Sequence, residues 1–320
     1  MRLLVLGGTS FVGRHVVGQA LDRGWEVTTF NRGITGEPDP RVDARHGDRY
    51  AEDGYASLDG DTWDAVVDIS GQQPRAVQRG AQALAGRVGR YVFVSSISVY
   101  TDSETASVDE SSPVFDGAPD ATDLDYAGSK AGAERAVLES FPDAVLVRAG
   151  LIFGPYENVA RIAYWLRRCA EGGVVLAPGR PDRPLQYVDA RDLAAWMLDA
   201  AVNPDVRGPY NLTGPTGHAT MGELLEACVK ASGGAATLRW VDDATLLAAG
   251  GEPWSELPGW VPEDWHLYDV NVERALATGL QTRPALDTVQ GTWDVGLAAP
   301  RPGIGMTRER EAELLAKVDG

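Results

Sequence analysis

The chain has 320 residues, 44% of them apolar, and a formal net charge of −17. That composition describes a globular protein, long enough for one large packed core or two small ones. The charge disfavours nucleic acid and anionic membranes as partners, no apolar run approaches the ~18 residues of a membrane span, and Leu3–Leu6 is too short for a signal peptide.

In chain order, strands are predicted at Arg2–Leu6, Glu26–Phe30, Asp64–Ile69, Tyr91–Ser95 and Ala144–Arg148, with helices at Phe11–Arg23, Arg75–Ala85 and Tyr126–Phe141. The strands are continuously apolar rather than alternating, which implies a parallel sheet covered on both faces. With right-handed crossovers this is an α/β fold, a doubly wound, Rossmann-like parallel sheet. After Gly154-Pro155 the rhythm changes to a helix at Val159–Glu171, short strands and Pro-rich loops. The stretch "PLQYVDARDLAAWMLDAA" reads as a strand and a helix returning to the sheet. The predicted division is therefore residues 1–155 and 185–212 for a dinucleotide-binding domain, and 156–184 and 213–320 for a smaller, discontinuous α+β substrate domain. Leu246–Trp265 carries Trp254, Trp260 and Trp265, either as a lid over an apolar pocket or as packing for a small second core. A charged helix, N-capped by Thr307, closes the chain.

Chemistry-bearing residues lie at strand ends. Gly7, Gly8, Thr9, Ser10, Phe11, Val12 and Gly13 form G-G-T-S-F-V-G, between the first strand and the first helix. Glycines there allow the turn, let a pyrophosphate approach the backbone, and pack helix on strand, while the helix N–H groups hold phosphate. The second strand ends in Asn31-Arg32, where an acidic residue would hold the 2′-hydroxyl of NAD. With no carboxylate and a guanidinium present, NADP is the expected cofactor and NAD the less favoured one. Asp48 follows a third short strand and is placed to accept a hydrogen bond from the adenine amino group. Ser70 and Gly71 end the next strand, beside the cofactor path. Ser95 and Ser96 stand at the C-terminal end of a strand, the edge where such sheets bind ligands. Tyr126 and Lys130 are four apart at a helix start and share a face, so the ammonium favours the phenolate and makes Tyr126 an acid/base. The four histidines have no metal-ligand spacing, so no metal is assigned. Cys169 and Cys228 read as buried hydrophobes in a reducing cytoplasm, the expected location.

Taken together, these motifs, with "RAGLIFGP", "QYVDARDLA" and "GLQTRPALDTVQGTW", resemble an extended short-chain dehydrogenase/reductase of the NAD-dependent epimerase/dehydratase family, over nearly the whole chain. The resemblance implies Tyr126 as acid/base, Lys130 on the nicotinamide ribose, and Ser96 as the catalytic hydroxyl, with Ser95 the alternative. Departures matter too. Ser10 replaces a motif glycine. Ile97 and Ser98 stand where dehydratases of this kind carry an acidic pair. Leu185 aligns with an arginine that epimerases use on the substrate diphosphate; either Arg180, Arg183 and Arg191 compensate or the substrate has no diphosphate. The leading expectation is an NADP-dependent reductase of a small or medium organic carbonyl. A nucleotide-sugar epimerase or dehydratase with transient oxidation is one alternative, and a non-catalytic cofactor-binding sensor or scaffold another. Some relatives of this type associate with RNA, against which the charge speaks here. The helices at 75–85 and 126–141 suit a homodimer through a four-helix bundle, with a monomer left open.

Overall fold

The computed structural model describes residues 1–103 and 105–319. The chain runs β1 (Arg2–Leu6), α1 (Phe11–Asp22), β2 (Glu26–Asn31), β3 (Asp43–His46), β4 (Trp63–Asp68), α2 (Pro74–Leu84), β5 (Val88–Ser96), α3 (Tyr126–Ser140), β6 (Val145–Ala149), β7 (Leu151–Phe153), α4 (Arg161–Ala170), β8 (Gly173–Pro178), β9 (Pro184–Leu185), β10 (Tyr187–Asp189), α5 (Ala190–Val202), β11 (Gly208–Leu212), β12 (Ala219–Thr220), α6 (Met221–Ser232), β13 (Ala236–Val241), α7 (Asp243–Ala248), α8 (Glu273–Ala277), α9 (Ala285–Asp294) and α10 (Arg308–Asp319). The predicted strands and helices of the first half recur with ends moved by three residues at most. Fraying and cap geometry account for shifts of that size.

Seven strands form one parallel sheet in the order β11-β6-β5-β4-β1-β2-β3. Its central strands are apolar on both faces because both faces are covered. Leu3 and Val5 pack with α1 and α5 on one side, and Leu4 and Leu6 with α2 and α3 on the other. Strands β1 and β4 are neighbours although the chain leaves them toward opposite edges of the sheet. Their C-terminal ends therefore bound the crevice where ligands bind in open α/β sheets.

A second apolar core joins α4, α6, β8 and β13 to parts of the chain as distant as Val289 and Leu314. The ion pair Arg168–Glu311 draws α10 in, with Arg168 Nε donating at 2.7 Å and the Leu176 amide donating to the other carboxylate oxygen. Thr307 Oγ1 accepts from the Arg310 amide, as its N-cap reading requires. Cys169 and Cys228 are free and buried in this core. No described helix is long and apolar enough to cross a membrane.

Candidate functional site

The glycine turn is built as its sequence demands. Gly7 and Gly8 hold φ of +124° and +105°, which side chains other than glycine's rarely adopt. A Cβ on Gly13 would lie 2.7 Å from the Gly8 nitrogen, so that helix and strand approach only without one. Ser10 precedes α1 without capping it through its side chain, so the first N–H groups of the helix face the cleft without a side-chain acceptor. Phe11 takes φ +36°, a strained value for an aromatic residue, at the entrance of two cavities.

The first cavity is a cleft of about 480 Å³ along the β1/β4 crevice. Gly7 to Gly13, Asn31, Arg32, Ser70, Ser95, Tyr126 and Lys130 all line it, so the structure gathers most of the sequence-predicted site in one place. Asn31 donates to the Gly7 carbonyl and accepts from the Gly33 amide, which fixes the end of β2. Arg32 is exposed beside it. The cleft fits an elongated dinucleotide on three counts: the uncapped helix start, the glycine approach that a Cβ would close, and Ser95 Oγ, buried there without a hydrogen-bond partner.

Three predicted residues lie elsewhere. Asp48 is exposed, and its carboxylate accepts from the Tyr50 amide at 3.1 Å, holding the turn after β3 rather than lining the cleft. The next residue, Arg49, lines the cleft instead. Gly71 sits behind the wall, where its carbonyl accepts from Lys130 Nζ at 2.8 Å. Ser96 lines neither cavity. Its Oγ accepts from the Ser98 amide and pairs with the Ser98 hydroxyl, both at 3.1 Å, and so caps the short 3-10 turn Ile97–Val99. Adjacent residues of a strand point to opposite faces, which separates the two serines. Ser95 faces the cofactor cleft and Ser98 faces the second cavity.

Sequence reasoning missed the floor of the cleft. Arg49 donates to Asp68 at 3.0 and 2.9 Å and to Ser70 Oγ at 2.7 Å. Tyr91 donates to the same carboxylate at 3.0 Å. Burial alone would raise the Asp68 carboxyl, but the Arg49 guanidinium and these hydrogen bonds bring it below the usual carboxylate range. Lys130 is buried, donates to the carbonyls of Gly71 and Val94, and lies 6.0 Å from the Tyr126 ring centre. Burial pulls its ammonium down to about 8, with the Asp68 charge opposing the shift. Tyr126 begins α3, capped by Asp125 through the Gly128 amide, and is 55% exposed, so its hydroxyl is free to meet a ligand.

The second cavity is a chamber of about 700 Å³, within the size range of small-molecule sites. It meets the cleft at Phe11, Tyr126, Ala149, Gly150 and Ile152. The tryptophan segment answers both of its readings: Trp254 and Trp265 wall the chamber, whereas Trp260 is buried in the second core. None of the three arginines considered for a diphosphate lines the chamber, and each already has a partner. Arg180 pairs with Glu263, Arg183 with Asp243, and Arg191 with Asp189. His15 Nε2 donates to the Pro155 carbonyl at 2.9 Å, and the ring lies outside both cavities. Among the described residues no cluster of side chains suits a metal ion.

Comparison with known proteins agrees with this geometry. Residues 80–213 match the NAD dependent epimerase/dehydratase family. The chain is 26% identical over 249 residues to the chloroplast stem-loop binding protein of 41 kDa b from Arabidopsis thaliana, an alignment covering 72% of this chain and 63% of that one. It thus spans less than two thirds of that relative's length. An epimerase family protein of Bos taurus is 26% identical over 261 residues, covering 73% of this chain and 81% of its own. Among solved structures, the Bordetella bronchiseptica enzyme WbmH in complex with NAD+ superposes with a TM-score of 0.69 at 20% identity, over 92% of this chain and 97% of that one. The UDP-glucuronic acid 4-epimerase of Bacillus cereus in complex with NAD gives 0.65 at 16% identity, over 92% and 98%. These structures share the fold of this chain, a parallel sheet flanked by helices, and its residues 80–213 resemble the NAD dependent epimerase/dehydratase family.

Proposed function

We propose that the protein is a nicotinamide-dinucleotide-dependent enzyme acting on a secondary alcohol or the corresponding carbonyl, with the dinucleotide held in the cleft and the substrate in the chamber. The observation that carries this reading is that Tyr126, with Lys130 behind it, stands where the two cavities join. When bound, the nicotinamide would supply or accept hydride. Gly7, Gly8 and the start of α1 would hold the pyrophosphate, Arg32 and Asn31 the adenosine ribose, and Lys130 the nicotinamide ribose. Arg32 beside a strand end without a carboxylate supports NADP over NAD.

The chain's own chemistry is a proton transfer. A substrate hydroxyl placed against Tyr126 Oη passes its proton to the phenolate, which the Lys130 ammonium stabilises; run backwards, the phenol protonates a carbonyl oxygen. The Ser98 hydroxyl, linked to Ser96, reaches the chamber and orients that oxygen. Chamber walls such as Trp254, Trp265 and Leu267 exclude water from the exchange.

The family relatives favour an internal cycle, in which the oxidised intermediate stays bound and the same carbon is reduced again, as in an epimerase. Ile97 and Ser98 offer no acidic pair for dehydration. A second reading, net reduction of a carbonyl, is favoured by the apolar chamber and by the engagement of Arg180, Arg183 and Arg191 within the protein, which leaves none of them for a nucleotide diphosphate. A cytoplasmic location belongs to the same reading, supported by two free thiols that burial makes unreactive.

The test is to screen secondary alcohols and ketones with NADP+ or NADPH, following both net cofactor turnover and solvent-hydrogen exchange at the substrate carbon. Tyr126→Phe should abolish the reaction and leave dinucleotide affinity within about threefold, because the ring and its packing remain. Turnover that survives this change would remove Tyr126 from its role. Exchange or inversion without net cofactor consumption would identify the internal cycle, and stoichiometric consumption the reductase.

A further inference from the structure

The chamber is apolar almost throughout, yet one strong cation opens into it. Arg161, the first residue of α4, lines the chamber. Its guanidinium lies 5.0 Å from the centre of the Trp254 ring, and its Nε is buried without a hydrogen-bond partner. No carboxylate or carbonyl accepts from its side chain among the described residues. The neighbouring carboxylate, Glu157, is directed elsewhere: its two oxygens accept from the backbone amides of Arg161 and Ile162 at 3.1 and 3.0 Å, and no ion pair forms between the side chains. Burial pulls the Arg161 guanidinium below its ordinary value, with partial compensation from Glu157. Trp254 holds φ +65°, a left-handed backbone value that residues other than glycine rarely adopt.

A half-buried guanidinium with unused donors is costly unless something pairs with it. Its planar donor fork matches a carboxylate in two-point geometry, and the surrounding Trp254, Trp265 and Leu267 suit an apolar body. Thr213 Oγ1, buried in the same chamber without a partner, adds a second polar contact. We propose that the substrate is a carboxylate-bearing, otherwise apolar organic molecule of ring size, whose carboxylate pairs with Arg161 while its reacting hydroxyl or carbonyl faces Tyr126. This rests on the reading of the chamber as the substrate site.

The experiment measures binding rather than turnover, so its outcome is independent of whether hydride transfer occurs. The full-length protein, with and without saturating NADP+, is titrated with two pairs of probes: benzoate against benzamide, and 2-naphthoate against 2-naphthamide. Members of a pair have nearly the same shape and differ in charge, and quenching of tryptophan fluorescence reports on Trp254 and Trp265. At least one carboxylate should bind about tenfold or more tightly than its amide, the range expected of a charged hydrogen-bonded contact. Arg161→Gln should erase that preference, leave amide binding unchanged, and leave NADP+ affinity unchanged as evidence of an intact fold. Arg161→Lys should keep part of the preference. Equal binding of acid and amide, a preference that survives Arg161→Gln, or no binding of either carboxylate up to about 1 mM would each overturn the proposal. A preserved carboxylate preference in a protein without alcohol or carbonyl turnover would instead reject the enzymatic reading and leave the anion site standing.

Discussion

Substituting Asp68 by Asn should destabilise the protein far more than its single lost charge suggests. Asp68 is fully buried and Arg49 is 6% exposed, so neither charge has water as an alternative partner. The carboxylate receives two hydrogen bonds from Arg49, one from Tyr91 and one from the Ser70 amide. Asn is close in shape, so no cavity opens. It cannot neutralise the guanidinium, however, and its amide N–H₂ faces donors. Breaking a buried pair by removing one partner costs about 3–5 kcal/mol, a large share of the roughly 5–15 kcal/mol that holds a typical protein folded. Urea unfolding followed by both tryptophan fluorescence and far-ultraviolet circular dichroism measures the loss as a lower midpoint at unchanged slope. The double variant Arg49→Met/Asp68→Leu should recover to within about 2 kcal/mol of wild type, because a well-packed apolar pair can replace a buried ion pair. Loss of less than about 1 kcal/mol in Asp68→Asn would refute the reasoning, since it would mean that the guanidinium finds water or another partner. The pH dependence has a definite sign. The Asp68 carboxyl titrates lower in the folded protein than in the unfolded chain, so its contribution is present above the ordinary value of 3.8 and fades as pH falls below it.

Lys130 shifts in the same direction, but because burial disfavours its charge rather than because a partner favours it. Its ammonium is pulled from 10.5 to about 8 by burial, so the folded protein loses that proton first as pH rises. Between those values the unfolded chain holds more protons, and the penalty for burying the charge, largest below pH 8, is relieved. Dinucleotide affinity and turnover should both decline as pH rises through about 8; a flat profile, or the same decline in Lys130→Arg, would assign the effect to another group. Arg32→Ala should lower NADP+ affinity about tenfold or more and leave NAD+ affinity nearly unchanged, as parallel titrations would show; an equal loss for both would mean that the guanidinium reads something other than a 2′-phosphate.

Local features of this molecule were readable in order of their range along the chain. The turn Gly7–Gly13 and the pair Tyr126/Lys130 are set by spacing within one or two helical turns, and both line the cleft as expected. The two adjacent serines could not be separated in advance, because strand alternation decides which one faces the ligand and the 3-10 turn after β5 redirects the next hydroxyl, that of Ser98. Asp48 and Arg49 posed the same difficulty at the end of β3, where a one-residue change of facing replaces a carboxylate by a guanidinium. Partnerships between distant segments left no local trace at all. Arg49 meets Asp68 across nineteen residues, and Arg168 meets Glu311 across 143. The sequence therefore left open whether Arg180, Arg183 and Arg191 could grip a diphosphate, and in the structure acidic residues engage every one of them. Arg161 carried no signal in the sequence, because what distinguishes it is that its side chain has no hydrogen-bond or ion-pair partner among the described residues.

The central claim is that the β1–α1 turn holds a nicotinamide dinucleotide beside Tyr126. Calorimetric titration of the protein with NADP+ and NAD+ side by side, repeated on Gly13→Ala, tests it most directly. Binding should be saturable with NADP+ the tighter ligand, and both should be lost in Gly13→Ala, whose added Cβ would stand 2.7 Å from the Gly8 nitrogen and push the helix start away from the phosphates. Absence of binding by either dinucleotide, or full affinity in a folded Gly13→Ala protein, would contradict it.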